Sequence, residues 1–483
     1  MRNRLFSAGR IVYIIYLVSA MLMMGITAML DMLPGKYICV MAAFVAVFAV
    51  ILAILLLVRR RNKGARITGI VIAALISILY ITGGVYMQMT GNFVDRISDN
   101  GKDLIEYCVI APVSEEKDDL NAVNGKDVHI MPDLDNEYIE AQGILEEKAK
   151  EEKISFGYEY TPDIDSMFTG LADGSIEGAL LSRTAFDMYT AENVSAGEKV
   201  KIVFTVYVEK ESSAAAKKVD VTEEPFNVYI TGLDTTGTID VQSLSDVNMI
   251  MTVNPVTKKI LLTSIPRDYY VMLHDEQQMD KLTHTGSKGA SATVATVEDL
   301  MECDINYYFK CNFSTVVSLI DAIGGITVES EYTFATHGRQ NEGFYFTVGT
   351  NYLDGASALA FARERKSFGG GDRQRIKNQQ LVLEATLNKV TQSRTLLTSY
   401  SQILSGLSDY LETSMSDSEM KALVKMQLDD MASWDIEKIS LDGTGDSRPC
   451  YLAGGGYASV IIPDKASIDA ARAEMAKVFS GKK

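Results

Sequence analysis

Three long apolar runs open the chain and predict three membrane-spanning helices. They cover residues 11–30, 37–58 and 67–89, and each has about the 20 residues that a helix needs to cross a bilayer. Basic residues precede the first run and fill the link at residues 59–66, whereas the link at residues 31–36 carries almost no charge. Because basic loops stay in the cytoplasm, the pattern predicts a cytoplasmic N-terminus and places everything after about Gly91 outside the cell.

Residues 100–215 mix short apolar runs with one amphipathic helix. Strands are predicted near residues 107–111 and 201–208, and a helix over residues 137–153. The stretch at residues 209–217 has the composition of a linker and marks a boundary. We therefore predict a membrane anchor over residues 1–91, a small extracytoplasmic α/β accessory domain over residues 100–215, and an outer domain over residues 220–483.

The outer domain shows strands that alternate with helices, which predicts an α/β/α sandwich. Polar groups at strand ends and helix starts should then converge on one edge of its sheet, where such folds bind ligands. The expected strands lie at 226–231, 247–253, 259–265, 307–311 and 326–329, and the expected helices at 290–303 and 314–323. We interpret the stretch after residue 396 as a cap on this sheet.

A glycine-rich turn between two helices carries the candidate chemistry. Arg363 and Arg365 end one predicted helix, and Asp372 opens the next, which continues to about residue 390. At 100° per residue, Arg375 and Gln379 share a sector with Asp372 and with apolar residues, so the inward stripe begins polar. Arginines beside a helix N-terminus suit a multiply charged anion such as a phosphate. The competing interpretation is a simple N-cap with solvated arginines.

Charge and composition narrow the possible partners. The net charge is −17, yet residues 1–91 hold nine basic residues and one acid, so the remainder carries −25. Such an acidic outer part argues against nucleic acid as a partner. The five cysteines and four scattered histidines show no metal-ligand spacing, which makes a zinc site improbable. Cys303 and Cys311 could pair outside the cell, but nothing in the sequence requires a disulfide.

Between about residues 226 and 390 a series of short motifs follows in a specific order and spacing: Gly232-Leu-Asp234, Ser245-Asp246, Asn254-Pro255, Ser264-Ile-Pro-Arg267-Asp268, Asp280-Lys281, Asp321-Ala-Ile-Gly-Gly325, Leu353-Asp-Gly355, Arg363-Glu-Arg365 and Gly371-Asp372-x-x-Arg375-x-x-x-Gln379. In these motifs the chain resembles the LytR-CpsA-Psr family of Gram-positive cell-envelope proteins. The resemblance implies a membrane-anchored phosphotransferase. Such an enzyme takes a glycopolymer, for example a teichoic acid or a capsule polysaccharide, from polyprenyl pyrophosphate and joins it to peptidoglycan by a phosphodiester.

The resemblance also assigns expected roles. Asp234 and Asp246 would bind Mg2+ (or Mn2+), since hard oxygen ligands at loop positions suit that ion. Arg267, Asp372 and Arg375 would be catalytic, with Asp372 orienting an arginine or assisting proton transfer. The pyrophosphate would be held by Arg267, Lys281, Arg363, Arg365, Arg375 and Gln379. Alternative interpretations are a turn aspartate for Asp234, an outer-face charge for Asp246 and a surface lysine for Lys281.

Three positions depart from the family pattern, because Thr236, Leu244 and Asn378 stand where arginines are common. The loss of three positive groups would weaken phosphate binding or change the accepted polymer. Two further functions therefore stay open: a non-catalytic regulator that binds polyprenyl phosphates, and a hydrolase of the pyrophosphate lipid. The sequence does not name the polymer or the acceptor sugar.

Overall fold

The structure is a computed structural model of the 483-residue chain. It describes residues 2–31, 33–58, 63–97, 102–132, 136–211, 216–233, 243–337, 343–369, 371–391, 411–453 and 455–481.

The three predicted spans are three long helices: α1 (Arg2–Leu30), α2 (Gly35–Leu57) and α3 (Lys63–Ile97). Their segments Phe6–Met29, Gly35–Leu57 and Lys63–Val85 are long and apolar enough to cross a membrane. They pack on one another around Tyr16, Leu52 and Ala73, while many of their other apolar side chains are exposed. That distribution is expected for helices that face lipid.

Residues 102–211 form a five-stranded sheet with helices on both faces. Its strand order is β3-β2-β4-β1-β5, with β1 antiparallel to both β4 and β5. One face packs on α4 and the other on α5 and α6. The elements are β1 (Lys102–Pro112), β2 (Asp127–Ile130), α4 (Asn136–Glu152), β3 (Gly157–Tyr160), α5 (Ile164–Asp173), β4 (Ala179–Ser182), α6 (Arg183–Glu192), α7 (Val194–Gly197) and β5 (Val200–Glu211).

The outer part is built on a six-stranded mixed sheet, in the order β16-β11-β6-β7-β8-β17. Its strands are β6 (Phe226–Leu233), β7 (Ser245–Asn254), β8 (Lys259–Ile265), β11 (Tyr307–Cys311), β16 (Leu411–Thr413) and β17 (Asp435–Ser440). Four two-stranded pairs surround it: β9 (Tyr270–Met272) with β10 (Met279–Lys281), β12 (Ile326–Ser330) with β15 (Gly349–Leu353), β13 (Phe334–Ala335) with β14 (Tyr345–Phe346), and β18 (Gly443–Pro449) with β19 (Tyr457–Pro463).

Helices cover both faces of this sheet, as the predicted α/β/α sandwich requires. The helices are α8 (Ala290–Met301), α9 (Phe313–Ala322), α10 (Gly355–Arg363), α11 (Asp372–Thr391), α12 (Asp417–Asp430) and α13 (Lys465–Ser480). One face packs on α8 and α13, and the other on α11 and α12. A third apolar cluster joins α9 and α10 to the β12–β15 pair.

Strand pairing explains why polar residues meet at one sheet edge. Strands β7 and β8 are antiparallel, with Asn248 opposite Ile265. Continuing that register by two residues brings Asp246 beside Arg267, one near the start of β7 and the other just after the end of β8. Helix α11 packs on one face of the sheet together with α12, and its first turn lies near this edge.

Candidate functional site

Two arginines and two aspartates meet at this edge. Arg267 Nη1 donates to Asp246 Oδ1 at 2.6 Å, and Arg375 Nη1 lies 3.9 Å from Asp246 Oδ2. Arg375 Nη2 is also 2.7 Å from Asp372 Oδ1, one turn earlier on α11. Each arginine thus faces a carboxylate, and Asp246 lies between the two guanidinium groups.

These charges are withdrawn from solvent. The Arg375 side chain is only 8% exposed, and that of Asp246 15%. Burial, together with the positive charge of Arg267, lowers the pKa of Arg375. Burial also acts to lower the pKa of Arg267, but the carboxylates of Asp246 and Asp268 outweigh it and raise the pKa above its usual value. Arg267 and Arg375 are therefore held close together although their positive charges repel each other. A bound anion would reduce that repulsion.

Several polar atoms of this cluster have no hydrogen-bond partner among the described residues. They are Arg267 Nε, Arg375 Nε and Asp372 Oδ2, all shielded from solvent, whereas Asp372 Oδ1 is in the ion pair with Arg375. Buried polar groups in folded proteins are nearly always hydrogen-bonded, so such atoms together mark a place for a ligand. We call Asp246, Arg267, Asp372 and Arg375 the arginine–aspartate cluster.

Two glycines shape the backbone around the cluster. Gly371 has a φ of +47° and directly precedes Asp372, and its carbonyl accepts the N–H of Arg375 at 3.2 Å. A side chain at Gly286 would meet the backbone of Ser243 and Ser245 at 2.5 and 2.6 Å. The turn that follows Lys281 therefore packs directly on the start of β7, which carries Asp246.

Arg363 ends α10, and Arg365 lies in the turn that follows. Hydrogen bonds to the buried Glu364 fix this segment. Its carboxylate accepts the backbone N–H groups of His337 at 2.7 Å and Ser367 at 2.9 Å. Although burial acts to raise the pKa of Glu364, these hydrogen bonds outweigh it and lower the pKa. The carboxylate therefore stays ionised and ties the arginine-bearing turn to the segment before it.

Helix α11 is joined to α10 through Asn378. Its Nδ2 donates to the Phe361 carbonyl at 3.1 Å, and its Oδ1 accepts from Gln374 Nε2 at 3.1 Å. Phe361 lies in the last turn of α10, where carbonyls lack helical partners. Asn378 is 2% exposed. The position at which the family pattern would favour an arginine is thus an inward hydrogen-bonding position in this chain.

The other predicted phosphate ligands occupy different environments. The Arg363 guanidinium lies over the Phe313 ring, 4.0 Å from its centroid. Arg365 is exposed, yet its charge lowers the pKa of Arg375. Lys281 is buried rather than on the surface, with Nζ 3.6 Å from Asp268 Oδ1. Gln379 is half-buried on α11.

Asp234 and Thr236 lie outside the described residues, so the predicted metal pair is represented only by Asp246. Leu244 is half-buried at the start of β7. The contacts made by three residues near the site were not predicted from the sequence: those of Asp268, Glu364 and Asn378. Asp268 and Glu364 are adjacent to predicted arginines, and that adjacency is the signal that could have identified them.

A second buried cluster joins Asp280, His284 and Cys450, whose potential metal ligands lie within 4.8 Å of one another. The Asp280 carboxylate pairs with His284 Nδ1 at 2.6 Å and accepts the backbone N–H groups of Lys281 and Leu452. Burial, with the nearby Asp280 charge, raises the pKa of the Cys450 thiol to about 12. These hydrogen bonds hold β10 against the loop that follows β18. Cys303 and Cys311 are free thiols.

Comparison with known proteins gives consistent matches for the outer part. The model of the LytR_cpsA_psr family matches residues 191–477. The polyisoprenyl-teichoic acid–peptidoglycan teichoic acid transferase TagU of Enterococcus faecalis is 35% identical over 227 residues, which cover 46% of this chain and 72% of that protein. The TagU of Bacillus anthracis is 30% identical over 247 residues, covering 51% and 77% respectively.

A crystal structure of B. subtilis TagV aligns with 53% of this chain and 98% of its own, at 26% identity and a TM-score of 0.45. The family model begins at residue 191, within α6, and so includes β5 of the first sheet as well as the outer part. It spans more than half of the chain, and the TagU relatives match over most of their own length. The chain therefore belongs to the LytR-CpsA-Psr family.

Proposed function

We propose that this protein is a membrane-anchored phosphotransferase of a Gram-positive cell envelope. It moves a glycopolymer from polyprenyl pyrophosphate onto peptidoglycan and forms a phosphodiester. The observation that carries the proposal is the pair of arginines in the arginine–aspartate cluster, the buried Arg375 and the half-buried Arg267, whose Nε donors are shielded from solvent without a hydrogen-bond partner among the described residues. The names of the TagU relatives, which describe a transfer of teichoic acid to peptidoglycan, support the same reaction class.

The cluster suits a pyrophosphate because guanidinium groups grip phosphate oxygens in pairs. Arg267 and Arg375 would bind the phosphates from the sheet edge and from α11. Arg365 adds positive charge close enough to affect Arg375. Arg363, Lys281 and Gln379 are proposed as outer contacts of the same anion. Negative charge that develops on the leaving phosphate would then be neutralised by groups already in place.

The reaction requires a proton acceptor as well as a charge clamp. The acceptor hydroxyl oxygen attacks the phosphorus that carries the polymer, the bond to the bridging oxygen breaks, and polyprenyl monophosphate leaves. The hydroxyl proton must be removed, and Asp372 is the proposed acceptor because its Oδ2 is buried without a hydrogen-bond partner among the described residues, while Oδ1 pairs with Arg375. Its pairing with Arg375 equally allows it to orient that arginine.

The donor set around Asp246 fits a divalent cation in part. Asp246 offers hard carboxylate oxygens at a strand start, and only Oδ1 is in close contact with an arginine. We propose that Asp246 and Asp234 hold Mg2+ (or Mn2+). A bound cation there would supply additional positive charge toward the phosphates. Every other element of the proposed site is provided by side chains of the chain itself.

The first prediction tests the clamp with a substitution that preserves charge. Arg375→Lys should weaken binding of a short-chain polyprenyl pyrophosphate because lysine lacks the planar fork, and Arg375→Ala should weaken it further. A lost charge-assisted hydrogen bond is worth about 1.5–3 kcal/mol, or more than tenfold in affinity. The measurement is titration of the detergent-solubilised protein at fixed Mg2+ and salt.

Arg373 provides the matched control, since it lies on the same turn of α11 with a side chain that is 71% exposed. Arg373→Ala should leave the affinity close to that of the wild type. If Arg375→Ala binds as tightly as the wild type, the clamp does not exist and the transferase proposal loses its basis. Tight binding without transfer would instead support the non-catalytic regulator, and release of phosphate without an acceptor would support the hydrolase.

The second prediction concerns the cation. Asp246→Asn removes a carboxylate charge but keeps the shape, and it should abolish Mg2+-dependent transfer and lower the affinity for Mn2+. Mn2+ binding followed by electron paramagnetic resonance gives a readout that does not depend on activity. Asp435, an exposed residue at the start of β17, serves as a control position through Asp435→Asn. Unchanged Mn2+ binding in Asp246→Asn would contradict the metal role.

A further inference from the structure

The α1–α2 loop, in which we include the first turn of α2, contacts helix α12 of the outer part; Asp31 lies between the helices, and Lys36 and Tyr37 lie in that first turn. Lys36 Nζ lies 3.0 Å from Asp429 Oδ1, and Lys425 Nζ lies 2.7 Å from Asp31 Oδ1. Helix α3 also packs against α12. We call Asp31, Lys36 and Tyr37 the anchor seat.

Tyr37 adds a contact of a different kind. Its hydroxyl donates to the carbonyl of Leu428 at 3.1 Å and lies 3.7 Å from Met431 Sδ. Leu428 is in the last turn of α12, where carbonyl groups lack an intrahelical partner. The anchor thus caps the end of a helix of the outer part.

The charges of the two surfaces are complementary in order as well as in sign. Asp31 is the only acid among residues 1–91, and Lys36 is the only base in the link between the first two spans. Lys425 and Asp429 lie one turn apart on α12, which places them on the same side of the helix. The acid of the loop, Asp31, therefore pairs with Lys425 of the helix, and the base of the loop, Lys36, pairs with Asp429.

Helix α12 is in turn bound to the elements that carry the site. Gln427 Nε2 donates to the carbonyl of Thr391, the last residue of α11, at 2.9 Å, and Gln427 Oε1 accepts from Trp434 Nε1 at 2.8 Å. Lys258, in the turn between β7 and β8, pairs with Asp430 at 2.6 Å. A contact at α12 is thus connected with α11 and with the central sheet.

We propose that the anchor seat holds α12, and with it the site on α11, at the outer surface of the bilayer. Each ion pair is about half exposed, so by itself it contributes little to stability. Both partners belong to one chain, however, and an intramolecular contact benefits from a high effective concentration. The seat places the α1–α2 loop and the outer part on the same side of the membrane. Its use in taking a lipid-borne substrate rests on the proposed function.

The seat itself is tested by cross-linking in the full chain, reconstituted in liposomes. In a Cys39→Ser background, the pair Lys36→Cys and Asp429→Cys should be joined by a short bis-maleimide cross-linker, which replaces the reach of the lysine side chain in the ion pair. The control pair Lys36→Cys and Asp469→Cys joins the loop to an exposed position on α13. A yield no greater than that of the control pair would overturn the proposal, whatever the protein catalyses.

The use of the seat is tested by charge reversal. Lys425→Asp should lower transfer from a full-length polyprenyl carrier in liposomes by about fivefold, the equivalent of ~1 kcal/mol. It should leave turnover of a short-chain, water-soluble pyrophosphate unchanged. The second reversal, Asp31→Lys, should restore the lost transfer. Equal loss with both substrates, or no loss with either, would overturn the role in lipid presentation. If the wild type transferred neither substrate, the proposed function would fail while the cross-link still decided the seat.

Discussion

Asn378 illustrates how a single inward residue sets the geometry of the site. Three polar residues of α11, Gln374, Arg375 and Asn378, are buried within its first two turns. Asn378 fills a position at which an arginine would add charge, and instead it hydrogen-bonds the end of α10. The distance between the arginines of α10 and Arg375 therefore depends on a neutral hydrogen bond.

Asn378→Asp gives a residue-scale prediction. The substitution replaces the donor facing the Phe361 carbonyl by an oxygen, which should lower the free energy of unfolding by about 1–3 kcal/mol. Asn388→Asp, at an exposed position on the same helix, should have little effect. Thermal or denaturant unfolding of the solubilised protein provides the measurement. Equal stability of the two variants would show that the α10–α11 hydrogen bond is unimportant.

The sequence predicts residue types at the site better than their contacts. The inward phase of Arg375 follows from helical periodicity, and the structure places it 92% buried with a carboxylate on either side. Periodicity does not show that Arg363 stacks on Phe313, because that contact joins α10 to the start of α9, 50 positions earlier in the chain. Periodicity likewise does not show that Lys281 is buried, since its contact with Asp268 joins the end of β10 to the segment after β8.

At the scale of elements, the edge strand β16 is held to β11 by a buried ion pair. Lys310 Nζ donates to Glu412 Oε2 at 2.9 Å, and Tyr308 donates to the other carboxylate oxygen at 2.6 Å. Lys310 is 1% exposed and Glu412 7%. Burying two charges is costly unless both are paired, so this contact specifies how β16 joins the sheet.

The prediction at this scale compares single and double substitutions. Lys310→Met leaves the Glu412 charge buried without its cation and should destabilise the protein by about 3–5 kcal/mol. Adding Glu412→Gln removes the stranded charge and keeps an acceptor for Tyr308, so the double variant should be more stable than Lys310→Met alone. Denaturant unfolding curves measure both. Additive losses would show that the two residues do not act as a pair.

Element boundaries were predicted within a few residues where hydrophobic periodicity was strong. Strand β11 was expected at residues 307–311 and is found there, and α11 begins at Asp372 as expected. Helix α3 was expected to end with its apolar run near residue 89 but continues to Ile97. Apolar content marks the part of a helix that lipid can bury, whereas helical hydrogen bonding continues into the polar residues beyond it.

At the scale of the whole molecule, the orientation in the membrane is the main prediction. Positive charge at the N-terminus and at residues 59–66 favours the cytoplasmic side for both. The contact of the α1–α2 loop with α12 agrees with that arrangement, because it requires the loop and the outer part to share a side. The three-domain division at residues 1–91, 100–215 and 220–483 remains a prediction.

Protease added to intact, wall-stripped cells should remove the part beyond Gly91 and spare residues 59–66. A protease site inserted into the 59–66 link should be cut only after the membrane is permeabilised, whereas the same site inserted after Gly481 should be cut at once. Survival of the large C-terminal part in intact cells would contradict the predicted orientation.

The extension of α3 beyond its apolar segment has a geometric consequence. From residue 89, where the apolar run ends, to Ile97 the helix runs about eight residues further, or roughly 12 Å at 1.5 Å per residue. In the proposed orientation α3 extends away from the bilayer before β1 begins, and the chain returns to the membrane surface at α12. The position of an element along the chain therefore does not predict its distance from the membrane. Lengthening the extension by one heptad would lift the first sheet by about 10 Å toward the wall, while α12 could stay at the lipid surface.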